Sequence, residues 1–352
     1  MLAGGFLGAG KTTLLLRAAR LLHERGLRAA IVTNDQGGSL VDTRMASAAG
    51  LDAAEIAGAC FCCRFSAFIG ALESLLPSKP DVILAEPVGS CTDISATVLQ
   101  PLKLYHQQFR LAPFSVLVDP ARARELAQPD ADPNVSFLFR NQLAEADLVL
   151  FTKSDLYPNA PEIPGIAARR VCAVTGQGVE AWLDEIMGGR LRAGSRLLDI
   201  DYARYAEAEA ALGWLNWEAE LALTDPLSPS SVVGPLLETL DTELTRAAAP
   251  IAHLKIFDRA ATGYIRAGIC NNGDVPSVEG DLLAPPDRRH TLVINLRARA
   301  LPEVLLDAVS RASAELQGDV RVLLQQAFQP SPPVPEHRLG SVAMPGPTTD
   351  AI

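Results

Sequence analysis

The first half of the chain alternates short apolar runs with longer amphipathic stretches. The apolar runs occupy residues 29–33, 82–85, 115–118, 148–151 and 171–174. Each has the length and composition of a buried strand, and helix-like stretches such as residues 13–24 lie between them. The alternation predicts an α/β domain with a doubly wound, mostly parallel sheet.

The second half has a different pattern, which begins after Gly188 and Gly189. Strands are predicted at residues 213–223, 251–257, 263–269, 291–296 and 320–324, and helices at 233–246 and 302–316. We therefore expect four segments: a nucleotide-binding domain at 1–190, a linker at 191–209, a smaller α+β domain at 210–328 and a tail at 329–352. The tail is rich in proline and small polar residues, so we expect it to be flexible.

Composition narrows the class of protein. The chain has 352 residues, 48% of them hydrophobic, which is enough for two domains. A formal net charge of -10 argues against a nucleic-acid partner. The sequence contains no apolar run of membrane-spanning length and no signal-peptide pattern, so we expect a cytoplasmic protein without a membrane partner. The cysteines are not spaced like a disulfide framework.

A phosphate-binding loop lies at the start of the chain. Residues 5–12 read G-F-L-G-A-G-K-T, which fits G-x-x-x-x-G-K-[ST] between an apolar run and a helix. Glycines let backbone N–H groups turn toward phosphates, while Lys11 can reach the β and γ phosphates and Thr12 can bind Mg²⁺. The predicted phosphate contacts are Gly5, Gly8, Ala9, Gly10, Lys11, Thr12 and Thr13. Only residues 1–3 are available for the strand that should precede the loop, so either the strand is truncated or the chain starts upstream.

Two later segments have the composition of a guanine-binding site. Thr152-Lys153-Ser154-Asp155 follows an apolar run, and the carboxylate of Asp155 could accept the two N–H donors that guanine has and adenine lacks. A solvated loop after a strand explains this tetrapeptide equally well. Residues 173–178, A-V-T-G-Q-G, follow the next apolar run. We assign Lys153, Asp155 and Thr175 to guanine binding, which makes GTP the expected nucleotide.

Acidic residues near predicted strand ends are candidates for holding Mg²⁺. Glu86 directly follows the run 82–85 and begins the segment E-P-V-G, although it could be an ordinary strand-end carboxylate. The segment T-N-D-Q-G at 33–37 suits a switch loop, with Asp35 and Asp42 as its candidate carboxylates. We assign Mg²⁺ binding to Thr12, Glu86 and Asp42, and catalysis to Lys11, Thr12 and Glu86.

Three thiols lie within four residues, at Cys60, Cys62 and Cys63. Such a cluster suits soft divalent metals such as Zn²⁺. Three ligands leave one position open, which suits transient binding, unless Cys91, a histidine or a carboxylate supplies the fourth. The alternative is a buried or redox-active thiol cluster.

Taken together, G-F-L-G-A-G-K-T-T, E-I-A-G-A-C-F-C-C, E-P-V-G and T-K-S-D resemble the CobW-type family of P-loop GTPases, relatives of the nickel-insertion GTPases for hydrogenase and urease. The resemblance implies a metallochaperone in which Cys60, Cys62 and Cys63 bind Zn²⁺, or Co²⁺ instead. GTP turnover would control release of the ion to a client metalloprotein, and related proteins form homodimers.

The chain departs from the family pattern at four places. Ala59 stands where the family often has glycine, Thr152 where it has asparagine, and Gly37 and Gly38 where it commonly has an acidic residue. Cys91 is an extra thiol shortly after Glu86, and we hypothesise that it links metal occupancy to the nucleotide state.

Two other functions are compatible with parts of the sequence. A P-loop alone does not select its base, so an ATP-dependent small-molecule phosphotransferase is one alternative, against which Asp155 argues. The other is a nucleotide-switched partner protein whose cysteines are structural.

Overall fold

A computed structural model describes residues 1–36, 41–48, 50–159, 163 and 166–343. Gly37 and Gly38 of the predicted switch segment and residues 344–352 of the predicted tail lie outside this description. The chain divides into two compact units. The first unit contains residues 1–36, 45–208 and 332–352, and the second contains 37–44 and 209–331. These units cross the predicted linker and tail, so the predicted domain boundaries stay predictions.

The first unit alternates strands and helices. Its strands are β1 (Ala3–Gly5), β2 (Ala29–Asn34), β3 (Asp52–Ile56), β4 (Val82–Glu86), β5 (Ser115–Val118), β6 (Leu148–Phe151) and β7 (Ala168–Arg170). Its helices are α1 (Lys11–Glu24), α3 (Phe65–Leu75), α4 (Gln100–Tyr105), α5 (Pro120–Leu126), α6 (Pro133–Glu145) and α7 (Val179–Met187). A 3₁₀ turn covers Leu76–Ser78 and a π-helical segment covers Ser95–Leu99. Helices α2 (Val41–Ala48) and α8 (Tyr202–Ala210) each contribute residues to both units.

The strands of the first unit pair in parallel. One group has the order β3-β2-β4 and the other β1-β5-β6-β7. A parallel bridge between Leu2 and Ala85 joins the groups, and the Ala85 N–H donates to the Met1 carbonyl at 2.8 Å. Among the described residues the strand order is therefore β3-β2-β4-β1-β5-β6-β7. The predicted doubly wound parallel sheet is confirmed, and the motifs that follow β1, β4 and β6 meet at its carboxyl edge.

The prediction of a buried strand at residues 171–174 was wrong. The strand β7 ends at Arg170, and Val174 is 76% exposed. Because β7 is an edge strand, its outer positions face solvent, and Arg169 forms an ion pair there with Glu185 of α7. The apolar run in the sequence therefore marks the turn after β7 and not the strand itself.

The second unit contains an antiparallel sheet and two long helices among its described residues. Its strands are β8 (Gly213–Leu227), β9 (Ile251–Ala260), β10 (Gly263–Ile269), β11 (Ser277–Gly280), β12 (Asp287–Ala298) and β13 (Asp319–Phe328), in the order β11-β10-β9-β12-β8-β13. Helices α9 (Pro229–Arg246) and α10 (Pro302–Ala314) pack on this sheet, where Trp217, Leu240 and Ile256 belong to the shared core. The predicted additional α+β domain is confirmed.

None of the helices in the described part of the chain is both long enough and apolar enough to cross a membrane.

Candidate functional site

The phosphate-binding loop connects β1 to α1. Gly8 and Gly10 have φ angles of 77° and 84°, in the left-handed region that suits glycine, and Gly10 directly precedes the first turn of α1. A Cβ on Gly5 would lie 2.3 Å from the Leu117 carbonyl oxygen, so this position accepts only glycine. The loop thus presents backbone N–H groups at a helix N-terminus, an arrangement that binds phosphate.

Three residues predicted to act in catalysis lie together beside this loop. The Thr12 hydroxyl donates to Glu86 Oε2 at 2.8 Å. Lys11 Nζ donates to the Gly5 carbonyl at 3.0 Å and lies 3.8 Å from Glu86 Oε1. All three side chains are buried. A hydroxyl and a carboxylate at one point are hard oxygen ligands, so their chemistry fits Mg²⁺.

Asp42, the third predicted Mg²⁺ ligand, belongs to the second unit. There its carboxylate accepts a hydrogen bond from Lys255 Nζ at 2.7 Å. On the same helix, Arg44 pairs with Glu218 and the Val41 N–H donates to Asn295. This pairing gives no support to the magnesium role of Asp42, which stays a prediction.

The T-K-S-D segment lies at the carboxyl end of β6. Lys153 has a φ of 53° and donates from Nζ to Asp119 Oδ2 at 2.6 Å. Asp119 follows β5 and caps α5, where it accepts the Ala121 N–H. Asp155 is exposed, and its Oδ1 accepts a hydrogen bond from the Cys172 thiol at 3.1 Å.

Cys172 also connects this segment to the T-G-Q-G loop. Its Sγ accepts the Thr175 N–H at 3.3 Å, and its carbonyl accepts the Gly176 N–H at 2.9 Å. The structure thus brings Asp155 and Thr175 to one buried thiol. Sequence reasoning missed both Asp119 and Cys172. The Asp119-Pro120 pair is a recognisable helix-start signal, whereas nothing in the local sequence marks Cys172.

The three thiols of the C-x-C-C segment converge. Their sulfur atoms all lie within 4.8 Å of one another, with 2.8 Å between Cys60 and Cys62 and 3.7 Å between Cys62 and Cys63. Cys60 and Cys62 are buried, and Cys63 is partly exposed. The arrangement can hold a soft divalent cation with little movement of the backbone.

The loop that carries these thiols is fixed by β2 and α3. Asn34, at the end of β2, donates to the carbonyls of Ile56 and Ala59 at 3.0 and 2.7 Å and accepts the Phe61 N–H at 2.9 Å. The Phe61 ring is fully buried and stacks on Phe68 of α3, with centroids 4.2 Å apart. A phenylalanine between the first two cysteines therefore anchors the thiol loop in the core.

The thiols share protons unequally. Hydrogen bonds from the thiols of Cys62, Cys63 and Cys91 to the Cys60 sulfur hold the pKa of Cys60 well below its ordinary value. The pKa of Cys62 is raised by the same bond to Cys60, and that of Cys63 is raised to about 12, mainly by its bond to Cys60. The cluster therefore stabilises one thiolate, and a cation is needed to displace the other protons.

Part of the predicted tail, residues 332–343, lies against this site, and we call it the C-terminal strap. The Val334 N–H donates to the Cys63 sulfur, and the Glu336 N–H donates to the Cys62 carbonyl at 3.0 Å. Arg338 Nε donates to the buried Asp93 at 2.8 Å. The strap thus contacts both the thiol loop and the segment that follows E-P-V-G.

Residues 1–176 match the family model described as the nucleotide-binding domain of CobW/HypB/UreG. The chain is 26% identical over 336 residues to the zinc chaperone YeiR of Escherichia coli K12. The matched region covers 86% of this chain and 95% of YeiR. It is 28% identical over 173 residues to the zinc chaperone YjiA of the same organism, and the matched region covers 47% of this chain and 52% of YjiA.

Two solved structures are also similar. Zinc-bound YjiA GTPase from E. coli has a TM-score of 0.34 at 18% identity, covering 90% of this chain and 98% of that one. HypB from Helicobacter pylori in complex with nickel has a TM-score of 0.40 at 17% identity, covering 53% of this chain and 84% of that one.

Proposed function

Because the chain belongs to the CobW/HypB/UreG family, we propose that it is a GTP-hydrolysing metallochaperone. It binds Zn²⁺, or a similar ion such as Co²⁺, through Cys60, Cys62 and Cys63 and delivers the ion to a client metalloprotein. The observation that carries the proposal is the convergence of three thiols within 4.8 Å in the same compact unit as the phosphate loop. The zinc chaperones YeiR and YjiA are relatives that support zinc as the cargo.

The nucleotide binds with its phosphates on the loop at residues 5–12. Lys11 neutralises phosphate charge once it leaves the Gly5 carbonyl, and Thr12 and Glu86 are the residues that would hold Mg²⁺. Mg²⁺ bound there would supply positive charge to the phosphoryl oxygens. The protein residues contribute mainly position and electrostatic stabilisation to the attack of water on the γ-phosphate.

The base binds at the other end of the site. Asp155 accepts the guanine N–H donors after its bond from Cys172 is exchanged for them, while Thr175 and Lys153 line the base. Lys153 is held by Asp119 and therefore has one fixed direction. This arrangement supports GTP over ATP as the substrate.

GTP hydrolysis by the reduced, zinc-loaded protein tests the nucleotide half of the proposal. We expect Lys11→Ala to lower the hydrolysis rate by about 100-fold or more, because a charge that stabilises the transition state is lost. Lys79→Ala, at an exposed lysine outside the loop, is the matched control and should hydrolyse GTP normally. Equal rates for Lys11→Ala and wild type would refute the proposal, and faster hydrolysis of ATP than GTP would favour a phosphotransferase.

A further inference from the structure

Cys91 is a buried thiol outside the C-x-C-C segment. It is 3% exposed, and its side chain hydrogen-bonds with the thiols of Cys60 and Cys62. We propose that Cys91 is the fourth ligand of the metal site, which makes the loaded site a four-thiolate centre. This inference rests on the proposed function and assigns a residue that the C-x-C-C pattern does not include.

The other candidates for a fourth ligand are less suitable. Among the described residues, the cluster whose ligand atoms all lie within 4.8 Å of one another contains the three thiols, without a histidine, an aspartate or a glutamate and also without Cys91. Cys91 differs from the other candidates because its side chain hydrogen-bonds with two of the three thiols. Cys172 already contacts Asp155 and Thr175 at the guanine end, and Cys270 belongs to the second unit. Zinc held by protein ligands alone is almost always four-coordinate, so the buried thiol beside Cys60 and Cys62 completes the set.

Four-sulfur binding requires side-chain movement, above all of Cys91, whose sulfur lies outside the cluster in which all ligand atoms are within 4.8 Å of one another. Sulfur atoms in a tetrahedral zinc site with bonds of about 2.3 Å lie about 3.8 Å apart. The 3.7 Å between Cys62 and Cys63 already fits, whereas the 2.8 Å between Cys60 and Cys62 must open by about 1 Å. On binding, four Zn–S bonds would replace the bonds between the ion and its water ligands, and both the water molecules and the thiol protons would leave to solvent.

The backbone that carries Cys91 is firmly held. Gln142 of α6 donates from Nε2 to the carbonyls of Gly89 and Cys91 at 3.0 and 2.9 Å, and the Cys91 N–H donates to Val88 at 3.0 Å. A Cβ on Gly89 would lie 2.7 Å from Cδ2 of Leu7 in the phosphate loop. A metal bound to Cys91 would therefore pull on a loop that packs against the phosphate-binding segment.

The direct test is X-ray absorption at the zinc K-edge of the reduced full-length protein loaded with one equivalent of Zn²⁺. We expect four sulfur ligands at about 2.3 Å. Three sulfurs with one lighter ligand would overturn the inference and leave the metallochaperone proposal standing. A protein that takes up no zinc would overturn both. This measurement needs no variant, so it does not depend on how a substitution at Cys91 folds.

Substitution gives a second readout. Cys91→Ser should change the zinc shell to three sulfurs, reduce the sulfur-to-metal charge-transfer absorption of the Co²⁺ form and weaken zinc affinity. We expect that loss to exceed the roughly 10- to 100-fold typical of residues that only support a ligand. Cys270→Ser is the matched control and should leave the shell, the Co²⁺ spectrum and the affinity unchanged. A Cys91→Ser protein that retains four sulfurs and wild-type affinity would contradict the assignment.

Discussion

Glu145 is a carboxyl group that the first unit buries completely. Its oxygens accept hydrogen bonds from the Thr92 hydroxyl at 3.0 Å and the Ser95 N–H at 2.9 Å. Loss of water raises the pKa of Glu145 from 4.5 to about 8, more than these bonds lower it. At neutral pH the folded protein therefore keeps a proton on Glu145 that the unfolded chain releases.

The sign of the pH dependence follows from this shift. The stabilising contribution of protonated Glu145 is fully present below the unfolded value of 4.5 and is lost as the pH rises through about 8. We expect Glu145→Gln to remove a slope of up to about 1.4 kcal/mol per pH unit in the free energy of unfolding over this window. Thermal unfolding at several pH values measures this. Glu73→Gln, on the exposed side of α3, is the control; an equal slope in wild type and Glu145→Gln would contradict the prediction.

A substitution at Asp155 tests which base the nucleotide site selects. A carboxylate accepts both guanine N–H donors, whereas an amide offers one acceptor and one donor, which complements xanthine. Asp155→Asn should weaken GTP binding by about 10- to 100-fold, in line with a hydrogen bond to a charged group, and strengthen xanthosine triphosphate binding. Fluorescent-nucleotide competition measures both affinities, with the exposed Asp52→Asn as control. Unchanged GTP affinity would show that Asp155 does not bind the base.

Residue chemistry was predictable only where it is local in sequence. Lys11 and Thr12 follow from a contiguous motif, and Cys60, Cys62 and Cys63 from their density. The bond from Cys172 to Asp155 and the contacts of Cys91 join residues that are distant in sequence, so spacing could not reveal them. Asp42 was predicted to bind Mg²⁺ from its position in the sequence alone. That position did not indicate that Lys255, which is distant in sequence, would donate a hydrogen bond to its carboxylate.

At the scale of elements, the loop after β4 depends on Gly89. A methyl group there would meet Leu7 of the phosphate loop at 2.7 Å, so one of the two segments must move. We expect the overpacking in Gly89→Ala to destabilise the protein by roughly 1–3 kcal/mol. Part of this free energy should appear as nucleotide binding that is at least about fivefold weaker. Gly70→Ala is the control, because a Cβ there meets nothing within 4 Å. Fluorescent GDP titration that gave wild-type affinity for Gly89→Ala would show that the two loops are independent.

The C-terminal strap gives a second prediction at this scale. It is fixed at Glu336, whose carboxylate accepts from Ser66, and at Arg338, which donates to Asp93. Replacing both by alanine should raise the alkylation rate of the partly exposed Cys63 by at least about tenfold, since even one charge-assisted bond contributes about 1.5 kcal/mol. Mass spectrometry of alkylated peptides measures the rate. Arg321→Ala, at an exposed arginine of the second unit, is the control, and an unchanged rate would mean that the strap does not shield Cys63.

Element prediction succeeded where burial on both faces produced apolar runs. The strands β4, β5 and β6 were found within one residue of their ends. The edge strand β7 was missed because solvent on one side permits Arg169, and the strap contacts could not be foreseen from its composition of proline and small polar residues. Composition indicates how little apolar surface a segment can bury by itself. It does not indicate whether the segment packs against another part of the protein.

For the molecule as a whole, we propose that the thiol cluster and the phosphate loop act together as a nucleotide-controlled metal carrier. Both lie in the first unit, and the sequence predicted both from their motifs. If GTP and metal bind cooperatively, thermodynamic linkage requires each to raise the affinity of the other by the same factor.

The most direct test is titration of the reduced protein with Zn²⁺ and Co²⁺, with and without Mg²⁺ and a non-hydrolysable GTP analogue. Wild type and Cys270→Ala should bind one ion per chain, more tightly when the analogue is present, and Cys62→Ala should lose this binding. Metal binding that is indifferent to both the nucleotide and Cys62 would contradict the account and leave a P-loop GTPase with structural cysteines.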